Sequence, residues 1–155
     1  MIYSSCGYLV KEGKVLMLYR NKKKNDVNAG KWIGVGGKKE QGEDMETCMR
    51  REIREETGLV VGKLKEEGII DFIYPHKEAE KITIYTSSDF RGDITECNEG
   101  TLAWIDKNKI PDLSLWEGDR IFLKRMLNHN PEKFHFIFEY DEHDVLRKVK
   151  EEKYE

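Results

Sequence analysis

The chain contains no apolar run approaching the ~20 residues a membrane-spanning helix requires, so a membrane is not an expected partner. Its start, "MIYSSCGYLVKEGKVL", has neither a basic n-region nor a long apolar core, and no signal peptide is read there. Cysteine is scarce: Cys6, Cys48 and Cys97 are odd in number, far apart and without a C-x-x-C pair. They read as reduced thiols of a cytoplasmic protein, not as a disulfide framework or a thiol nucleophile. Positive charge is not in excess, with 27 Lys and Arg against 30 Asp and Glu. That balance speaks against a nucleic-acid polymer as partner and leaves small phosphorylated ligands open. No internal repeat or low-complexity linker interrupts the chain.

What is present describes one folded unit. A chain of 155 residues fits a single domain, 1–155, with a core of useful size. Charged residues (37%) nearly equal hydrophobic ones (38%), which is polar for a globular protein. Three Trp, seven Tyr and six Phe, together with β-branched runs, argue against disorder.

"SSCGYLV" and "KVLMLYR", joined through "KEG", read as a β-hairpin, and "NKKKNDVNAGK" as a polar loop. "WIGVGG" is a short apolar segment ended by paired glycines. A helix is predicted from about Glu43 to Thr57, with Gly58 as its C-cap. "LVVGKLKEEGIIDFIYP", "KITIYTSSDF", "TLAWI" and "KFHFIFEY" read as strands. "DKNKIPDLSLWEGD" reads as a loop and "RIFLKRMLN" as a second helix. The tail "RKVKEEKYE" (147–155) is expected to be helical or frayed. This order predicts an α+β fold with a mixed sheet between helices.

The first helix is unusual. At about 100° per residue, Met45, Cys48 and Met49 form the stripe expected to face the core. Glu52 and Glu56 continue that stripe, with Ile53 and Glu55 on its flanks, while Glu46, Arg50 and Arg54 lie on the far side. Carboxylates aimed along a core stripe are costly unless something compensates them. One answer is internal ion pairing, with Arg51 reaching Glu55 at i,i+4. The other is a divalent cation, for which three carboxylates at i, i+3 and i+4 supply hard oxygen donors suited to Mg²⁺ or Mn²⁺. Gly36 and Gly37, just before the helix, allow backbone conformations that could turn a carbonyl toward an ion.

From Gly37 the chain reads glycine, five residues, Glu43, seven residues, then "REIREETGL". It resembles the Nudix box, G-x5-E-x7-R-E-U-x-E-E-x-G-U with U a bulky aliphatic residue, over 37–59, with every fixed position filled. The resemblance implies the Nudix fold, an α/β/α sandwich, and hydrolysis of a nucleoside diphosphate linked to another moiety. It implies Glu52, Glu55 and Glu56 as metal ligands with the Gly36 carbonyl, Arg51 as the residue orienting them, and Glu43 as structural or an outer ligand. Glu52 is the favoured general base. MutT-type members add a further glutamate before a later strand, for which Glu99 is favoured over Glu96.

Beyond the box, the chain resembles the branch that hydrolyses 8-oxo-purine nucleotides. That resemblance implies Trp116 of "LWEGD" stacking on the base and Asp119 reading its edge. Read without it, Trp116 is a core plug and Asp119 the N-cap of the following helix. It also implies substrate contacts from Ser5, Phe72 and Tyr74, whose alternation puts both rings on one sheet face. Arg20, Gly37 and Lys38 would lie at the phosphates. Two positions depart from the mammalian pattern: Ile33 stands where that branch has Asn, and Gly118 where it has an acid. Both departures reduce polar base contacts and hence selectivity. The expectation is therefore a Mg²⁺-dependent nucleoside triphosphate pyrophosphohydrolase, with 8-oxo-dGTP or a related oxidised purine nucleotide as substrate, working as a monomer or homodimer. The competing expectations are a Nudix hydrolase of ADP-ribose, a nucleotide sugar or a dinucleoside polyphosphate, and a non-catalytic nucleotide-binding regulator.

Overall fold

The computed structural model describes residues 1–128 and 132–155. In chain order the strands are β1 (Ile2–Lys11), β2 (Lys14–Tyr19), β3 (Trp32–Ile33), β4 (Val35–Lys38), β5 (Val60–Val61), β6 (Lys65–Ile73), β7 (Glu80–Ser87), β8 (Phe90–Arg91), β9 (Thr101–Asp106), β10 (Phe134–Tyr140) and β11 (Leu146–Glu152). Helix α1 (Met45–Thr57) lies between β4 and β5, and α2 (Glu117–Leu127) between β9 and β10. The main sheet runs β11-β10-β6-β7-β1-β2-β3, with β4 also on β1 and β9 on β2; β5 and β8 form a separate pair. It is mixed: β1 is parallel to β7 and β10 to β6, whereas β6 and β7 are antiparallel.

The period-two pattern of the strands sorts the core into two layers. On β2, Val15 and Met17 join the core beneath α2, while Leu16 and Leu18 face the core beneath α1. On β10, Phe134, Phe136, Phe138 and Tyr140 all point to the α2 side, where Phe122 and Leu123 meet them. Met49 and Ile53 of α1 fill the other layer with Leu9 and Val35. Helices thus cover both faces of a mixed sheet, the α+β sandwich that the sequence predicts. The hairpin turn also follows prediction: Glu12 and Gly13 both take positive φ, the primed-turn geometry that suits a two-residue loop. Among the described residues no helix is long and apolar enough to cross a membrane.

Four local expectations change. Helix α1 starts at Met45 rather than Glu43, because Asp44 caps it by accepting the Thr47 N–H at 2.7 Å. Its fully buried residues are Cys48, Met49, Ile53 and Thr57, so Ile53 belongs to the core stripe and not to its flank. The stretch 106–119 is not all loop: a 3-10 helix covers Lys107–Asp112 and α2 begins at Glu117. Most of the tail is neither helical nor frayed, since β11 pairs antiparallel with β10 from Leu146 to Glu152. Its main chain completes the sheet while Lys and Glu side chains face solvent and protect the edge from further pairing.

Candidate active site

Arg51 is the centre of an ion-pair knot on α1. Its guanidinium donates to Glu43 at 2.6 and 3.0 Å, to Glu52 Oε1 at 2.9 Å and to Glu55 Oε2 at 3.1 Å. The hydrogen bonds from Arg51 hold the Glu43 carboxyl down to about 2, helped by the Glu40 N–H. Internal pairing therefore accounts for Glu43 and Glu55, the latter being 58% exposed. It does not account for Glu56.

The Glu56 side chain is buried and accepts the Gly36 N–H at 2.7 Å. Burial, a proton shared with Glu99 and the charge of Glu52 push its carboxyl up to about 9. Glu52, half-buried, is likewise raised by burial, against the pull of Arg51. Glu99 is brought here from before β9, and Arg20 Nη1 (3.6 Å) and Lys23 Nζ (3.8 Å) are its cations. Its rival Glu96 points to solvent and pairs with Lys22. No three acidic, His or Cys side chains among the described residues form a finished metal cage. The carboxyl oxygens here are nevertheless of the kind a hard divalent cation takes, and burial beside Glu99 and Glu52 disfavours a charged Glu56 unless a cation compensates it.

The paired glycines serve a purpose other than the one expected. Neither Gly36 nor Gly37 takes positive φ. A Cβ at Gly36 would lie 1.9 Å from the Ser5 carbonyl oxygen, and one at Gly37 would lie 2.6 Å from Glu52 Oε1. Close approach of α1 to β4 and β1 is what excludes side chains here.

Beside the carboxylates opens a cavity of about 760 Å³. Glu52, Glu99, Gly36, Gly37, Lys38, Arg20 and Ser5 line it together with Phe72, Tyr74, Trp116 and Asp119. Ser5 Oγ lies 3.3 Å from Cys48 Sγ of α1, so its side chain turns to the α1 face of β1 and not to the aromatic rings as expected. Arg51, Glu55 and Glu56 are not among its lining residues. Phe72 and Tyr74 stack at 6.1 Å, and Tyr140 stacks on both. Trp116 is only 5% exposed, meets Tyr140 edge-on at 5.2 Å and has Lys31 Nζ 4.8 Å from its ring. It is thus both a core residue and a cavity wall. Asp119 is not the N-cap of α2, a position held by Trp116; it lies in the first turn, buried, its carboxyl pushed up to about 7 by desolvation. The fork of Arg20 is taken by Asp26 at 2.8 and 3.0 Å, so only Nη1 faces the carboxylates.

Sequence reading missed Tyr8, Cys6, Asp26, Asn28 and Lys31. Tyr8 and Cys6 line the cavity from β1; the Tyr8 hydroxyl is buried near Cys6 and Gly34, yet in hydrogen-bond geometry with neither. Period-two alternation from Ser4 through Cys6 to Tyr8 marks their face, but Tyr8 reads there as plain core.

The NUDIX domain model matches residues 5–126. The chain belongs to the Nudix family. As a Nudix hydrolase it is 34% identical over 139 residues to an oxidized purine nucleoside triphosphate hydrolase of Danio rerio, covering 89% of this chain and 86% of that protein. It is 32% identical over 125 residues to the mouse (Mus musculus) protein of that name, covering 80% and 79%. A crystal structure of a MutT protein from Bacillus halodurans superposes with a TM-score of 0.88 over 98% of both chains, at 24% identity, and shows the shared Nudix fold.

Gly118 has a structural reason in this Nudix protein. A Cβ there would lie 2.5 Å from the Phe138 ring and 2.8 Å from the Tyr140 hydroxyl, which accepts the Gly118 N–H at 2.8 Å. Gly118→Asp is expected to lower stability by about 2–3 kcal/mol through overpacking and a buried charge. Thermal melting checks this, and an unchanged midpoint would mean the ring wall yields to an acid.

Proposed function

We propose that this enzyme is a Mg²⁺-dependent nucleoside triphosphate pyrophosphohydrolase that takes purine nucleotides, oxidised ones such as 8-oxo-dGTP foremost, to monophosphate and pyrophosphate. One observation carries the reading: a single cavity joins an aromatic wall to a set of carboxylates. Both named relatives act on oxidised purine nucleoside triphosphates, which supports the same substrate class. We place the reaction in the cytoplasm, where the three free cysteines stay reduced.

Glu52, Glu55, Glu56 and Glu99, with the Gly36 carbonyl, would hold the cation, and Mn²⁺ would substitute for Mg²⁺. When bound, it neutralises phosphate oxygens and makes a water more acidic. Glu52 is the general base: it faces the cavity, Arg51 occupies its Oε1, and its raised proton affinity suits it to accept a proton from water. Arg51 orients Glu52, while Lys38 and the Nη1 of Arg20, which sits beside Glu99, attract the phosphates. Trp116 offers a face to the base, flanked by Phe72 and Tyr74. Asp119, with its carboxyl near 7, can donate or accept at the base edge according to the base presented. Ile33 on the cavity wall makes no polar contact, so selectivity for the 8-oxo group is expected to be modest.

A panel of dGTP, 8-oxo-dGTP, 2-oxo-dATP, ADP-ribose and diadenosine polyphosphates with Mg²⁺ tests this, scored for pyrophosphate against phosphate. The expected result is pyrophosphate release from the purine triphosphates at kcat/KM at least about tenfold above the other substrates, a gap of roughly 1.4 kcal/mol. Preference for ADP-ribose or a dinucleotide would overturn the assignment.

A further inference from the structure

The polar loop between β2 and β3 reads in sequence as solvated connection, yet it is tied to residues that line the cavity. Asp26, 4% exposed, accepts Arg20 Nε at 2.8 Å and Nη2 at 3.0 Å. Its Oδ1 also accepts the Asn28 N–H at 3.1 Å. Main-chain bonds from Ala29 to Asp26, from Gly30 to Arg20 and from Lys31 to Asn28, each 3.0 Å, fix the turn. Asn28 Oδ1 then accepts the Trp116 indole N–H at 2.8 Å. The Trp116 ring is packed in the core beneath α2 and edge-on against Tyr140, and the bond to Asn28 anchors its polar edge. At the other end of the turn, Arg20 has Nη1 left, 3.6 Å from Glu99. One short turn therefore holds an aromatic face and a cation that line one cavity.

We propose that Asn28 and Asp26 are positioning residues for nucleotide binding: Asn28 fixes the Trp116 indole against the base, and Asp26 clamps Arg20 so that its remaining Nη1, beside Glu99, is presented to the phosphates. The inference rests on the purine-nucleotide reading of the cavity. A merely structural loop would weaken all ligands alike or none. The positioning role separates them, because Asn28 acts on the base and Asp26 on the phosphates. It also makes Asn28 and the indole N–H a single unit, so that removing both costs no more than removing one.

The test is a double-mutant cycle read by calorimetry in Mg²⁺, with a non-hydrolysable α,β-imido analogue of dGTP and with inorganic tripolyphosphate. Asn28→Ala is expected to weaken the analogue roughly fivefold, the loss of about one hydrogen bond, and tripolyphosphate less than twofold. Trp116→Phe, which keeps a ring but removes the N–H, also weakens the analogue, and adding Asn28→Ala to it weakens binding no further. Asn28→Asp retains the acceptor and restores wild-type affinity. Asp26→Asn is expected to weaken the analogue and tripolyphosphate roughly fivefold by loosening the charge-assisted fork, and to leave the binding of deoxyguanosine, which carries no phosphate, unchanged. Multiplying effects in the cycle, or equal loss of tripolyphosphate on Asn28→Ala, would overturn the Asn28 role. Unchanged tripolyphosphate binding in Asp26→Asn, or an equal loss of deoxyguanosine, would overturn that of Asp26. A wild-type protein that binds the analogue with this coupling but releases no pyrophosphate overturns the proposed reaction and not this inference. One that does not bind the analogue overturns both.

Discussion

Glu56→Gln is expected to lower nucleotide turnover at least about a thousandfold, the several kcal/mol that a disrupted cation site withdraws from phosphate chemistry. The same substitution is expected to stabilise the metal-free protein at alkaline pH. Glu56 is buried against Glu99 and Glu52, and its carboxyl is pushed up to about 9. Between the ordinary carboxylate range and about 9, the folded state binds a proton that the unfolded chain has released. Stability is therefore fully present below about 4.5 and falls as pH rises through about 9. Gln mimics the protonated acid: it still accepts the Gly36 N–H and can donate to Glu99, without a charge to ionise. Raising the pH from 7 to 9 in chelator should lower the wild-type melting midpoint, by roughly 5 °C for a loss of about 2 kcal/mol, and leave the variant's nearly level. Mg²⁺, taking the place of the proton, should flatten the wild-type curve as well. Melting curves of the two proteins with parallel pH dependence, or retained turnover in the variant, would sink the assignment of Glu56.

Trp116→Ala is expected to raise KM for purine nucleotides roughly 10- to 100-fold, the loss of about 1–3 kcal/mol of base stacking, with inorganic tripolyphosphate affected far less. The structure adds a cost that sequence reading alone did not assign. Trp116 is buried, packs edge-on against Tyr140 and anchors Asn28. Its truncation should also remove about 3–5 kcal/mol of stability, and assays must run well below the lowered melting midpoint. A stability loss with an unchanged ratio of KM values between the two substrates would show that Trp116 is packing and nothing more.

These two residues show how differently a site can be written in a chain. Glu56 is legible because helical periodicity is local: four residues after Glu52 and seven after Met49, it must share their face whatever the rest of the fold does. The box spacing around it then led to the family, and the alternating strands to the mixed sheet between helices. Glu99 was narrowed to a choice of two, since a loop has no period to say which acid turns inward. The Lys/Glu-rich tail misled because β11 is held by main-chain hydrogen bonds to β10, and these leave little mark in side-chain composition.

By itself, then, the sequence determined the acidic helix, its cap, the core stripe that carries carboxylates, and the layered α+β architecture. The stripe follows from residue periodicity within one element, the C-cap from Gly58, and the architecture from the order of elements along the chain. Only the tertiary structure decided that Arg51 is shared among four acids, Glu40, Glu43, Glu52 and Glu55, that Glu56 is buried beside Glu99 with no ion-pair partner among the described residues, and that Gly36 and Gly37 are there for clearance. It alone brought Asp26 and Asn28 from a polar loop to Arg20 and Trp116, 88 residues separating Asn28 from the indole it holds. Contacts across such distances are set by how sheet and helices pack, and short-range pattern carries no record of them.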